Sequence, residues 1–278
     1  MSAPSGPAVD PRLADAFLAA CLAELRAPKP GNVHDFAPGH RMTVADFETS
    51  AAVSAPYIAW RGARIGDRVL GAMRATVAAV GCNTNLGILL LTAPIAMAAG
   101  QGGDLRRELH AILANTTVED AEKVFEAIRI ANPGGLGRSE SHDVAAKPLV
   151  TLTQAMAEAA DRDRIALQFV TCFDDLFSIG LPAWRRSEPA GDPLRRTLAV
   201  YHAYASAMPD THVTRKHGPE VAEATRIKFA EHREAFANYD ISQLLNYDRE
   251  LKVLGVNPGT SADLTVATEF LARALEDK

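Results

Sequence analysis

The chain has 278 residues, long enough to bury a large core without disulfides or structural metals. Hydrophobic residues make up 47% and charged ones 23%, with mean hydropathy of -0.04, which excludes a disordered acidic chain, a collagen-like repeat and a membrane protein. Lys plus Arg total 29 against 34 Asp plus Glu, a net charge of -5, so there is no broad basic face for nucleic acid or an acidic membrane surface.

Aromatic residues are only 6%, and strand-like alternation is absent, whereas helical spacing recurs throughout. From Leu13 through Phe17, Cys21 and Leu25, apolar residues repeat at three and four, predicting a helix that ends at Ala27, before Pro28; residues 1–10 are expected to be flexible. Thr43, with Asp46 three residues on, predicts a helix start running towards Trp60. Further helices are expected at about 66 to 80, 84 to 99, 104 to 114 and 118 to 131, the last opened by Thr117 with Asp120. The apolar run Leu86 to Ala99 carries Pro94 and is too short to span a bilayer, so it reads as a buried core helix.

After the breaker Asn132-Pro133-Gly134-Gly135, a helix is predicted to begin at Lys147-Pro148. Asp161 to Trp184 should be one long helix or two, terminated by Gly180 and Pro182. Helices at Leu194 to Met208, Glu220 to about Ala237, Ile241 to Leu254, and Ser261 (as cap) to Leu275 complete the chain. With no repeat and no long linker, residues 1–278 read as a single all-α domain. Cys21, Cys82 and Cys172 are too scattered for a disulfide frame and read as buried thiols in a reducing cytoplasm. No basic segment precedes an apolar one near Met1, which argues against a secretory signal.

Five polar, glycine-rich segments join these helices and hold most of the chemistry. In PKPGNVH, Lys29 is a point charge suited to phosphate, and Gly31 lets backbone approach a ligand, although a rigid turn with a solvated lysine explains the same residues. In CNTNLG, Asn83, Thr84 and Asn85 precede an apolar helix whose free N–H groups favour an anion, or simply cap it. GGLGRSESHD supplies Arg138, Glu140, Ser141, His142 and Asp143 but matches neither the P-loop nor the dinucleotide turn. DTHVTRKHG joins Asp210, for a metal or hydroxyl, to Arg215 and Lys216, for a polyphosphate, and reads as a loop. Zinc is disfavoured there because His212 and His217 are five apart with no cysteine near. In NPGTSADL, Asp263 follows a helix cap.

Taken in order, PKPGNVH, CNTNLG, DTHVTRKHG and NPGTSADL resemble the triphosphoribosyl-dephospho-coenzyme A synthase family from about residue 13 to 274. The resemblance implies an all-α enzyme that uses ATP and Mg2+, in which an acceptor hydroxyl attacks C1 of the ATP ribose and adenine leaves. It implies Lys29, Gly31, Asn83, Thr84, Asn85, Arg138, Arg215 and Lys216 as nucleotide-binding residues. Asp210, Asp263 and His34 are implied as catalytic, and Asp210, Asp263 and Glu140 as metal ligands. Departures are visible: Asn85 and Leu86 stand where the family has His and Lys, and His34 where it has Asp. These variants look more like the branch found in archaea and methylotrophic bacteria, which implies a tetrahydromethanopterin precursor as acceptor, within one-carbon metabolism. Hydrolysis of a nucleotide or phosphoribosyl compound, and nucleotide binding without catalysis, are the competing readings. Ala-rich helices such as Val69 to Val80 are compatible with a homodimer.

Overall fold

Helices start where the sequence places capping chemistry. The computed structural model describes residues 7–37, 42–132, 146–187 and 191–276, and these hold fifteen α-helices, one π-turn and no strand. α1 (Pro11–Arg26) opens on Asp10, whose carboxylate accepts from Arg12 N, with Pro11 preset for the first turn. α2 (Val44–Ile58) starts with a capping box between Thr43 and Asp46. α3 (Ile65–Val80), α4 (Leu86–Gln101) and α5 (Leu105–Ala114) follow, and α6 (Val118–Ala131) repeats the capping box with Thr117 and Asp120. Of the stretch expected to be flexible, residues 1–6 lie outside the described residues and 8–10 are pinned: Arg61 N donates to Ala8 O at 2.7 Å and Asp10 N to Ala59 O at 2.9 Å.

The next stretch departs from its helical pattern. The helix expected from Lys147 starts only at α7 (Leu152–Ala157), because the box that nucleates it is Thr151 with Gln154. The long helix expected to Trp184 is α8 (Arg164–Val170), then a break, a π-turn (Leu176–Gly180) and α9 (Leu181–Ser187). Cys172 and Phe173 make the break, both left-handed with φ of 53° and 59°. Gly180 does not end the run; it lets Tyr204 approach, since a Cβ there would come within 2.9 Å of Tyr204 Cζ.

α10 (Pro193–Ala207) matches its expected helix. The segment read as a loop after Pro209 is instead α11 (Thr211–His217), capped by Asp210 and closed by Gly218 at φ 89°. The long helix expected from Glu220 is α12 (Pro219–Glu231) and α13 (Arg233–Ala237), and α14 (Ile241–Val253) follows. α15 (Gly259–Glu276) begins two residues before Ser261, which sits inside the first turn rather than capping it.

α4 is buried almost all round and packs against α3, α5 and α15, with Leu89, Leu91 and Ile95 fully covered. Each such side chain contributes about 1.5–3 kcal/mol by leaving water. The apolar residues form two clusters, and α10 and α15 supply both: Val200 and Leu264 to one, Tyr201 and Ala262 to the other. No single helix among the described residues is long and apolar enough to cross a membrane. Cys21 and Cys172 are half-buried and Cys82 is exposed, so the expectation of three buried thiols fails at Cys82, which sits on the α3–α4 turn.

Candidate active site

The helix ends surround one cavity of about 900 Å³. Its walls are the α3–α4 turn, the C-terminal part of α6, α7 with the start of α8, α11, and the first turns of α15. Phe125, Ile128, Ala131, Met156 and Ile165 make part of the lining apolar. Asn83, Thr84, Asn85, Asp163, Arg215 and Asp263 make another part polar.

The α3–α4 turn is built by its own side chains. Asn83 Oδ1 accepts from Asn85 N at 3.3 Å and Leu86 N at 3.0 Å, covering one of the open N–H groups of α4. Thr84 Oγ1 donates to Ser50 Oγ at 2.7 Å and Asn85 Nδ2 to Ser54 Oγ at 3.4 Å, tying the turn to α2.

Asp263 stands opposite, half-buried, and its carboxylate makes no hydrogen bond among the described residues. Burial pushes its carboxyl well above the ordinary carboxylate range, with the negative charges of Glu24, Asp210 and Asp163 adding to the effect and Arg215 opposing it. Gly87 makes room for it: a Cβ at 87 would overlap the carboxylate and lie 2.7 Å from both Asp263 Cγ and Ile165 Cδ1. Arg215 donates to Asp163 Oδ2 at 3.4 Å and pairs with His212 Nδ1 at 3.2 Å, which holds the guanidinium at the cavity wall. Lys216 is exposed and also on the lining, as is Arg162.

Four of the expected site residues lie off the lining. Lys29 is fully buried, with Nζ donating to Glu24 O at 2.6 Å and Val33 O at 3.0 Å and lying 3.1 Å from Glu24 Oε1, so it neutralises Glu24 rather than a phosphate. Gly31, at φ 83°, lets its loop press on the α14–α15 connection, where a Cβ would meet Pro258 Cδ at 2.8 Å; its N–H donates to Asp248. His34 is buried with Nε2 3.4 Å from Asp248 Oδ2, and burial lowers its pKa. Asp248 is shared with Lys252 Nζ at 2.9 Å, so His34 belongs to a structural charge cluster.

Asp210 is the fourth. Its Oδ1 accepts from His212 N and Val213 N, and its Oδ2 from Ser261 N and Ser261 Oγ, both at 2.8 Å. Those four bonds occupy both oxygens and clamp the start of α11 to the first turn of α15, two residues before Asp263. Asp210 therefore positions the site and is not placed to hold a metal or a hydroxyl. Arg138 and Glu140 lie outside the described residues.

Sequence reading overlooked Glu24, Arg162 and Asp163, all on the lining. Glu24 had a signal: it follows Phe17 by seven residues and Ala20 by four, so an acid occupies the core-facing stripe of α1. Asp163 is the cap of α8, accepting from Ile165 N at 2.9 Å, which disguises its second role.

A helical scaffold that gathers carboxylates, amides and arginines around one large cavity is that of an enzyme acting on small molecules. The chain belongs to the CitG family, ATP:dephospho-CoA triphosphoribosyl transferase, which matches residues 10–278, and it is a transferase. The fold is similar to the crystal structure described as a triphosphoribosyl-dephospho-CoA synthase from Archaeoglobus fulgidus, with TM-score 0.66 and 27% identity over 81% of this chain and 97% of that one. No curated protein matches the sequence.

Proposed function

We propose that the enzyme moves a triphosphoribosyl group from ATP to a hydroxyl of a coenzyme precursor. The acceptor oxygen bonds to C1 of the ribose, the C1–N9 bond breaks, and adenine leaves with the proton equivalent that the hydroxyl gives up. The observation that carries this reading is Asp263, a carboxylate without a hydrogen-bond partner among the described residues, facing a cavity of about 900 Å³. That volume is near the top of the roughly 300–1,000 Å³ usual for small-molecule sites and suits two ligands held together. Asp263 takes the hydroxyl proton, its raised pKa matching a general base better than an ordinary aspartate would. Arg215, Lys216 and Arg162 are the cations available to the triphosphate.

Magnesium fits the polar lining. Among the described residues no group of three or more His, Cys, Asp or Glu is gathered to hold a metal. Mg2+ is commonly bound by one or two carboxylates with substrate phosphates supplying the rest, and Asp163 on the lining is a carboxylate that leaves Asp263 free to take the proton. Bound there, it would neutralise charge on the triphosphate.

For the acceptor we favour a tetrahydromethanopterin precursor over dephospho-CoA. Asn85 and Leu86 replace a histidine and a lysine of the resembled family at the cavity wall, changing which hydroxyl compound is recognised. Purified enzyme with ATP, Mg2+ and either acceptor tests both statements by chromatography. Adenine release without ADP or AMP is expected, faster with the pterin precursor; ADP formation would overturn the transfer reading, and faster reaction with dephospho-CoA would overturn the acceptor.

A further inference from the structure

Glu24 and Asn85 both lie on the wall between the large cavity and a small annex beside Cys21 and Ala51. Each is 5% exposed. Asn85 Oδ1 has no hydrogen-bond partner among the described residues. Its orientation follows from Ser54, whose hydroxyl donates to Ser50 O at 2.6 Å and so can only accept from the amide. Asn85 must therefore turn Nδ2 to Ser54 and leave Oδ1 open.

Glu24 is an acceptor too. Lys29 Nζ donates to three backbone carbonyls, of Glu24, Ala27 and Val33, and only an ammonium has three hydrogens to give them. The pair is ionised, Glu24 has one oxygen against Lys29, and its Oε2 makes no hydrogen bond among the described residues. Two acceptors on one wall, with no donor between them among the described residues, suit a ligand that brings two donors.

We propose that Glu24 and Asn85 form a subsite for a vicinal diol, the 2′- and 3′-hydroxyls of a ribose. A carboxylate on a ribose hydroxyl is a general device of nucleotide sites, and an amide oxygen beside it receives the second proton. The proposal rests on the transfer reading, in which ATP brings such a ribose; dephospho-CoA, the acceptor in the family's description, would bring a second.

Calorimetric titration of the full wild-type chain with Mg2+ tests it without relying on a variant that must fold. One series is ATP, 2′-deoxy-ATP and 3′-deoxy-ATP; the other is dephospho-CoA and its 2′-deoxy and 3′-deoxy forms. Removing a hydroxyl that donates to a charged acceptor weakens binding about 10- to 100-fold. Such a loss in the first series assigns the subsite to the nucleotide, and in the second to the acceptor. Asn85→Ala, which leaves the Glu24–Lys29 pair intact, should shrink the discrimination at one of the two positions to about 3-fold or less. Deoxy compounds that bind as tightly as their parents in both series overturn the diol subsite and leave transfer standing, whereas failure of ATP itself to bind removes both.

Discussion

Replacing Lys29 separates a phosphate ligand from an internal counter-ion. Lys29→Met leaves the Glu24 carboxylate, 7% exposed, without its partner at 3.1 Å and strips donors from Glu24 O and Val33 O. Breaking a buried pair from one side costs about 3–5 kcal/mol. At about 2–4 °C per kcal/mol for a chain of this size, Tm should fall by about 6–20 °C. Differential scanning calorimetry reads this directly, and ATP titration at a temperature where the variant is folded reads the ligand side. Glu24→Leu with Lys29→Met removes both charges and should recover at least half of the lost Tm, because an apolar pair of similar volume needs no counter-ion. A Lys29→Met protein that melts within 2 °C of wild type yet loses ATP affinity tenfold or more would refute the assignment and return Lys29 to the triphosphate.

Asp263→Asn should lower kcat by about 10²–10⁴-fold if this carboxylate takes the hydroxyl proton, and the wild-type rate should rise through a pKa above the ordinary carboxylate range; an unchanged pH profile would remove it from that role. Because its folded-state pKa is raised, its contribution to stability is present below about pH 3.8 and lost as pH rises through the folded value, so Asp263→Asn should melt higher than wild type at pH 8 and no higher below pH 3.8. Gly87→Ala should displace the same carboxylate, lowering kcat about 100-fold while unfolding measurements show a cost of about 1–3 kcal/mol. Asp210→Asn sets an amide N–H₂ against the donors of either His212 and Val213 or Ser261; a loss of about 2–4 kcal/mol in urea unfolding should accompany its loss of turnover, and full stability without activity would show direct participation instead.

Helix periodicity and caps were legible because they are local. Thr43 with Asp46 and Thr117 with Asp120 close their boxes within three residues, so the sequence contains the whole interaction. The region from Asp161 to Ser187 was not, since its break comes from left-handed Cys172 and Phe173, residue types that carry no turn signal. Gly180 misled for the opposite reason. It looks like a stop, but its partners Tyr204 and Thr268 lie far along the chain and take up the space a side chain would need. The charged run after Pro209 has only seven helical residues, too few to show a periodic apolar face, and its Asp210 is an ordinary helix cap.

The same distinction sorts the candidate site. A charged residue can bind a ligand only with the capacity its own protein leaves unused, and that depends on distant partners. Asp210 is filled by Ser261, 51 residues away, and Gly31 meets Asp248 across 217. Lys29 is filled locally by Glu24, but the turn that folds it inward is invisible in a motif that reads as phosphate-binding. Asp263 is the reverse case: the sequence offers it as a first-turn acid, and the fold gives it three neighbouring carboxylates, one opposing arginine and no hydrogen bond among the described residues. A carboxylate held this way costs stability that a single Asn would restore. Its place over Gly87, where any other residue would displace it, is the geometry on which the proposed role towards a ligand rests.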